Sequence, residues 1–154
     1  MSILENLAAR GLTLPNPPQP LGSYTAVSQA GDLLFISGQL PLLDGKVKWQ
    51  GAVGKDLTLE EGKKAAELAA LNVLAQINAY LDGFERLDHI VRVEGHVTSP
   101  LGWLQQPAVL DGASDLFAGV LGEKAGHARA AYSAVQQPGN AAVILVVIAQ
   151  IKPA

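Results

Sequence analysis

The spacing of apolar residues along the chain predicts three helices. Apolar positions that recur every three or four residues form one face of a helix. Such stretches are residues 3–10, 58–81 and 105–121. Ser2 and Glu5 have the spacing of a capping box, in which each side chain binds the backbone N–H of the other residue. Thr58 and Glu61 repeat that spacing, so both residue pairs predict where a helix begins.

Between the helices, alternating or short apolar runs predict strands. The predicted strands are residues 24–29, 33–37, 46–49, 89–98, 128–135 and 141–149. Residues 33–36 and 141–149 are almost wholly apolar, which is typical of strands covered on both faces. Residues 89–98 alternate, which predicts one exposed face. Residues 14–22 are rich in proline and predict an extended connector.

These segments follow the order α-β-β-(β)-α-β-α-β-β, which is typical of an α+β fold. We expect a mixed sheet with the two longer helices packed on one face. A chain of 154 residues has the length of one compact domain, so we expect a single domain over residues 1–154. The first helix is too short to cover the other face of the sheet. We therefore expect that face to be covered by self-association.

The composition supports a folded core and narrows the possible chemistry. Hydrophobic residues make up 49% of the chain and charged residues 16%, which argues against disorder. The net charge is −3 and the basic residues are scattered, so we expect no nucleic-acid partner. The absence of cysteine excludes disulfides and thiolate catalysis. The three histidines are well separated, so we expect no metal site.

The distribution of apolar residues also bears on location. No stretch approaches the roughly 18 consecutive apolar residues of a transmembrane helix. The amino terminus lacks a basic region followed by an apolar run, so it does not read as a secretory signal. We therefore expect a cytoplasmic protein with no membrane partner.

Several distinctive segments occur in a fixed order along the chain. They are Tyr24 with Ser28-Gln29-Ala30, the block Phe35–Pro41 with Ser37-Gly38-Gln39, the helix Thr58–Leu81, the helix with Asp111 and Phe117, and Ala128-Arg129-Ala130. Together they resemble the RidA (YjgF/YER057c/UK114) family of imine-handling proteins, and in particular a divergent branch. The resemblance extends from about residue 20 to residue 151.

The resemblance implies a chorismate-mutase-like fold and a homotrimer with sites in the clefts between subunits. It further implies hydrolysis of reactive 2-enamine and 2-imine intermediates, such as 2-iminobutanoate and 2-iminopropanoate, to 2-keto acids and ammonia. This activity needs neither a metal nor an organic cofactor. The family also carries an older label, endoribonuclease L-PSP.

The resemblance aligns Arg129 with the arginine that binds the substrate carboxylate. A guanidinium binds a carboxylate through two parallel, charge-assisted hydrogen bonds, which would fix the substrate for attack by water. The structural alternative is a surface arginine, or one paired with Asp111 or Asp115. His127 should point to the same side of the strand as Arg129, either as a proton shuttle or as an ordinary residue at the strand entrance.

Four further residues complete the expected site. Tyr24 is expected to contact substrate or water, or else to lie at a sheet edge as an amphipathic residue. Ser37 and Gly38 are expected to contact the substrate, although a strand-ending turn explains Gly38 equally well. Asp111 stands where the family often has Asn, and it is expected to bind as an acceptor or to orient Arg129.

The last strand departs from the pattern of the deaminating members. Those members carry a Glu there that is proposed to activate or position water, whereas residues 143–147 of this chain are all apolar. General acid–base assistance is typically worth about 10²–10⁴-fold. Three hypotheses follow: a cofactor-free imine deaminase, a non-catalytic protein that binds a small carboxylate or 2-keto acid, and, as the weakest, an endoribonuclease.

Overall fold

A computed structural model describes residues 1–154, and its elements follow the predicted order closely. The helices are α1 (Ile3–Ala9), α2 (Leu59–Leu81) and α3 (Gln106–Leu121). The strands are β1 (Val27–Ala30), β2 (Leu33–Gln39), β3 (Leu42–Leu43), β4 (Lys46–Val47), β5 (Leu87–Thr98), β6 (Ala128–Ala134) and β7 (Val143–Ile151). Short 3₁₀ turns span Gly122–Ala125 and Pro138–Asn140.

Five strands form one mixed sheet in the order β1-β2-β7-β5-β6, and β3 with β4 forms a separate hairpin. The pair β5–β6 is parallel, and the other pairs in the five-stranded sheet are antiparallel. Helix α3 provides the crossover that a parallel pair requires. The two long helices pack against each other and against the sheet, so the expected α+β architecture is confirmed.

Local signals at the helix ends have the predicted effect. Both capping boxes are present, and at α2 the amide of Glu61 donates to the Thr58 hydroxyl while the amide of Thr58 donates to the Glu61 carboxylate. Helix α2 ends at Asp82, which adopts a left-handed conformation at φ 53°. No helix is both long and apolar enough to cross a membrane.

The central strand β7 shows how the sheet is covered. Its alternate residues from Val143 to Ile151 are buried under the helices, while Ile144, Val146 and Ile148 on the other face are only partly covered. On β2, Phe35 is 43% exposed. Coverage of the second face, which the sequence analysis assigns to self-association, stays a prediction. The helices cover one face and no element of the chain packs on the other.

The first strand begins later than predicted. Residues 24–26 lie in an irregular segment, and β1 starts at Val27. The amide of Tyr24 donates to the carbonyl of Gly22, so the chain turns there instead of extending. The last strand is displaced in the same direction, to Val143–Ile151, because Ala141 directly after the turn at Pro138–Asn140 pairs with Gln50 outside the five-stranded sheet.

Helix α3 lies so close to α2 that Gly112 is sterically required. A Cβ at Gly112 would overlap the backbone carbonyl of Lys63 in α2, which cannot move aside as a flexible side chain would. We expect Gly112→Ala to destabilise the protein by about 1–3 kcal/mol through overpacking, despite the better helix propensity of alanine. Urea unfolding measures this loss of free energy.

Gly119→Ala is the matched control on the same helix. Its Cβ would meet the end of the flexible Arg10 side chain, which is able to move. Gly119→Ala should be neutral or stabilise by up to about 1 kcal/mol through helix propensity. Equal effects of the two substitutions would contradict the claim that the α2–α3 contact is tight at Gly112.

Candidate functional site

Arg129 is anchored to α3 by three hydrogen bonds. Its Nη1 donates to Asp111 Oδ1 at 2.8 Å and to Ser114 Oγ at 3.1 Å. Its Nη2 donates to the carbonyl of Pro107 at 3.2 Å. These three partners are spaced by four and then three residues, so they lie on one face of the helix, the face turned toward β6.

The anchoring leaves part of the guanidinium available. A guanidinium has five N–H donors, and the three recorded bonds use three of them. The Arg129 side chain is 25% exposed. The ion pair with Asp111 is one of the alternatives that the sequence analysis gave for Arg129. The two donors that remain unused are available to bind an anion. The role of Arg129 in substrate binding stays a prediction.

Ser114 and His127 extend this group, and sequence reasoning missed Ser114. Ser114 Oγ lies 2.9 Å from His127 Nε2. The other ring nitrogen, Nδ1, contacts the carbonyl of Ala125, which only accepts. We therefore assign the proton to Nδ1, so Nε2 accepts the hydroxyl hydrogen of Ser114. The spacing of Ser114 three residues after Asp111 was the available signal in the sequence.

The geometry also bears on the expected orientation of His127. His127 and Arg129 both reach Ser114, so the two side chains do lie on the same side of the strand, as predicted. The ring of His127 also packs edge-on against Phe117, with centroids 5.9 Å apart, and Phe117 is fully buried. Hydrogen bonds at both nitrogens and the contact with Phe117 thus fix the orientation of the imidazole.

Tyr24, Ser37 and Gly38 line a second, narrow cleft with residues 18–21 of the connector. The Tyr24 hydroxyl accepts from the amide of Leu21 at 3.2 Å, which leaves its own hydrogen free to donate. Gln39 donates to the carbonyl of Ser37 at 3.1 Å. A Cβ at Gly38 would come 3.0 Å from Ile144, so packing inside the chain already favours glycine there.

Helix α2 holds the connector, residues 14–22, which leads into Tyr24. Gln76 of α2 donates to the carbonyl of Pro18 at 2.7 Å. Asn72, one helical turn earlier, donates to the carbonyls of Leu40 and Leu42. Both amides are buried, so they fix the residues that precede and follow the cleft.

Within one chain, the two groups of predicted site residues are apart. Ser37 and Gly38 are on β2, whereas Arg129 is on β6 at the edge of the sheet, and β7 and β5 lie between them. Three steps between adjacent strands correspond to about 14 Å. Asp111 and Arg129 therefore meet in the chain, and Tyr24 with Ser37 and Gly38 forms a separate cleft.

A third polar group lies on the open face of the sheet. Arg92, Glu94 and His96 occupy alternate positions of β5, with Arg92 Nη1 2.9 Å and His96 Nε2 2.7 Å from the Glu94 carboxylate. Hydrogen bonds from His96 and Arg92 hold the pKa of Glu94 below its usual range. The bond to Glu94 likewise raises the pKa of Arg92. The spacing of these three residues was the available signal in the sequence, because alternate positions of a strand share a face.

The lowered pKa of Glu94 predicts a pH-dependent contribution to stability. A carboxyl with a lower pKa in the folded state stabilises the protein above its unfolded-state pKa, and this contribution is lost as the pH falls through the folded pKa. Glu94→Gln should therefore lower the free energy of unfolding at pH 7 by up to about 1 kcal/mol, because the group is partly exposed. The deficit should shrink below about pH 4.

Denaturant unfolding at pH 7 and at lower pH measures the effect. Glu85→Gln is the control, since Glu85 is exposed and has no recorded bond. A constant deficit for Glu94→Gln at all pH values would contradict the assigned ion pairs.

The five-stranded mixed sheet with two long helices packed on one face is the YjgF/chorismate-mutase-like fold. The chain belongs to the family described as "YjgF/chorismate_mutase-like, putative endoribonuclease", whose model matches residues 5–151. The resemblance to RidA proteins is thereby confirmed.

Individual relatives agree with this assignment. The chain is 37% identical over 142 residues to Protein TCP17 of Trypanosoma cruzi, covering 92% of this chain and 89% of the relative. A solved structure from Shewanella oneidensis, called a putative endoribonuclease, is 35% identical with TM-score 0.94, covering 97% of this chain and 99% of that one. RidA from a Psychrobacter species is 25% identical with TM-score 0.62, covering 88% and 94%.

Proposed function

We propose that this protein hydrolyses 2-imino acids and related 2-enamines to 2-keto acids and ammonia, without a metal or organic cofactor. The observation that carries the proposal is the Arg129 guanidinium, which is anchored by Asp111, Ser114 and the Pro107 carbonyl and retains unused donors. Membership of the RidA-like family supports the same reaction class. We take the cytoplasm as the site of this activity.

The substrate carboxylate would bind the free side of the Arg129 guanidinium. The reacting carbon of a 2-imino acid is bonded directly to its carboxylate, so fixing the carboxylate also fixes the carbon that water attacks. Asp111 binds Nη1 only, which holds the guanidinium plane while other donors face a ligand. A prearranged arginine saves the ordering that a flexible one would need.

We propose that the cleft lined by Tyr24, Ser37 and Gly38 joins the Arg129 site when copies of the chain assemble. In a cyclic homotrimer with head-to-tail contacts, two different surfaces of each copy meet its neighbours. With the open sheet faces turned to one another, the β6 side of one sheet would lie beside the β1–β2 side of the next. Arg129 of one copy would then meet Tyr24, Ser37 and Gly38 of its neighbour. The partly covered apolar side chains of Ile144, Val146 and Ile148 and the exposed Phe35 support self-association on this face.

In that cleft, Tyr24 and Ser37 would contact substrate or water. The Tyr24 hydroxyl keeps its hydrogen for a ligand because it only accepts from Leu21. The half-buried Ser37 side chain is steadied by Gln39, whose amide lies 3.4 Å from its hydroxyl oxygen. Gly38 exposes backbone beside both side chains.

We expect wild type to accelerate the decay of 2-imino acids that an amino-acid oxidase generates in the assay, and Arg129→Ala to abolish most of this effect. Removing one partner of a charged hydrogen-bonded pair typically costs about 2–5 kcal/mol, or about 30-fold or more in kcat/KM. Arg129→Lys keeps the charge but loses the planar fork, so it should be intermediate.

Arg10→Ala is the matched control, because Arg10 follows α1 and lies beside Gly119, about two turns along α3 from Asp111. If wild type gives no faster decay than buffer, the deaminase proposal fails. If Arg10→Ala and Arg129→Ala lose the same activity, Arg129 has no specific role. If the protein has the mass of a monomer in solution, the proposed cleft between two copies does not exist.

A carboxylate-binding protein without turnover is the second candidate. It is favoured by β7, where residues 143–147 contain no carboxylate to activate water. In that case 2-keto acids should raise the Tm of wild type but not of Arg129→Ala, while imine decay stays at the buffer rate. An unchanged Tm with both pyruvate and 2-ketobutyrate would contradict this alternative. The basic residues are scattered along the chain, which argues against an RNA-binding site and leaves the endoribonuclease as the weakest hypothesis.

A further inference from the structure

We propose that Ser114 and His127 form a proton relay beside Arg129 and supply the acid–base group that β7 lacks. This inference rests on the proposed deaminase function and names residues that activate its water. Ser114 would contact the reacting water, and His127 would act through Ser114.

The hydrogen-bond directions favour proton transfer along this path. Ser114 Oγ accepts from Arg129 Nη1 at 3.1 Å, so its own hydrogen is directed to His127 Nε2 at 2.9 Å. The carbonyl of Ala125 holds the proton of the imidazole on Nδ1, which keeps Nε2 as the basic nitrogen. A serine between a cation and a neutral imidazole is thus arranged to pass a proton in one direction.

The relay is within reach of the proposed substrate. A charge-assisted bond of about 2.8 Å to Arg129 would put the reacting carbon within roughly 5 Å of the guanidinium nitrogens. Ser114 Oγ is 3.1 Å from one of those nitrogens. A water that donates to the Ser114 hydroxyl would then lie between Ser114 and the reacting carbon, which is the position that a hydrolytic water needs.

The steps balance in two stages. Water adds to the carbon of the protonated imine, a C–O bond forms, and the C=N π electrons become the lone pair of the amino nitrogen. The water proton passes to Ser114 Oγ as the serine proton passes to His127 Nε2. His127 then returns its proton through Ser114 to the amino nitrogen. The C–N bond breaks, the carbonyl forms, and the hydroxyl proton leaves with ammonia as ammonium.

The variants Ser114→Ala and His127→Ala test the relay in the full-length protein. Each should lower kcat by about 10²–10⁴-fold, the usual range for acid–base assistance, with KM little changed. Ser114→Thr retains a hydroxyl and should keep most of the activity. Added imidazole should restore part of the kcat of His127→Ala, because His127 is only partly buried and its site is open to solvent.

Two control variants match the types of residue replaced. Ser133→Ala removes a serine from the same strand as Arg129 that bonds Ser99 at 2.8 Å. His89→Ala removes a partly exposed histidine that pairs with Asp88. Both should retain wild-type kcat. If His127→Ala does not fold, His127→Gln provides an amide that can still bond Ser114 but cannot shuttle the proton.

The outcomes separate the relay from the proposed function. Inactive wild type overturns the deaminase, and the relay with it. Active wild type that depends on Arg129 but retains kcat in Ser114→Ala and His127→Ala overturns the relay alone. A lower Tm without imidazole rescue shows that His127 is structural, and a raised KM at unchanged kcat shows that Ser114 only positions Arg129. Either result contradicts the relay.

Discussion

Helix α3 lies so close to α2 that the Lys63 carbonyl leaves no room for a Cβ at Gly112. On its other side, α3 meets Gly95 of β5, where a Cβ would overlap the side chain of Leu110. These two contacts set the height and rotation of α3 over the sheet. The polar face of α3 is then turned to β6, and Asp111 and Ser114 reach Arg129 only because of that placement.

The position of Arg129 on the edge strand β6 determines which of its donors are bonded and which are open to a ligand. Helix α3 supplies all three hydrogen-bond partners of Arg129, so the guanidinium is held from one side. At the edge, Arg129 is anchored on one side and open on the other, so it is ordered without being neutralised on all its donors. The same position separates it from Tyr24 and Ser37, and for this reason the proposed active site depends on a second copy of the chain.

The apolar last strand and the Ser114–His127 pair belong together in this interpretation. A chain that replaces a water-activating carboxylate with valine and leucine needs another proton acceptor if it is to hydrolyse imines at the same site. His127 is anchored by the carbonyl of Ala125 and by the ring of Phe117, so its Nε2 is directed at Ser114. Binding of the substrate carboxylate and proton transfer would then both take place where α3 contacts β6.

The sequence by itself determined the features that depend on neighbours three or four residues apart. Both capping boxes and the three helices are local patterns, and each is present where predicted. The predicted alternation of β5 holds from Val93 to Val97, but a bulge between Ile90 and Arg92 interrupts it before that point. The sequence also placed Arg129 and Asp111 in one site, and named their ion pair as an alternative, because the family resemblance supplied the alignment. Tertiary structure decided the strand order, the turn that removes Tyr24 from β1, and the bond from Ser114 to His127, thirteen residues away. Such contacts depend on how α3 packs on α2 and on the sheet, and packing at that distance along the chain leaves no periodic signal.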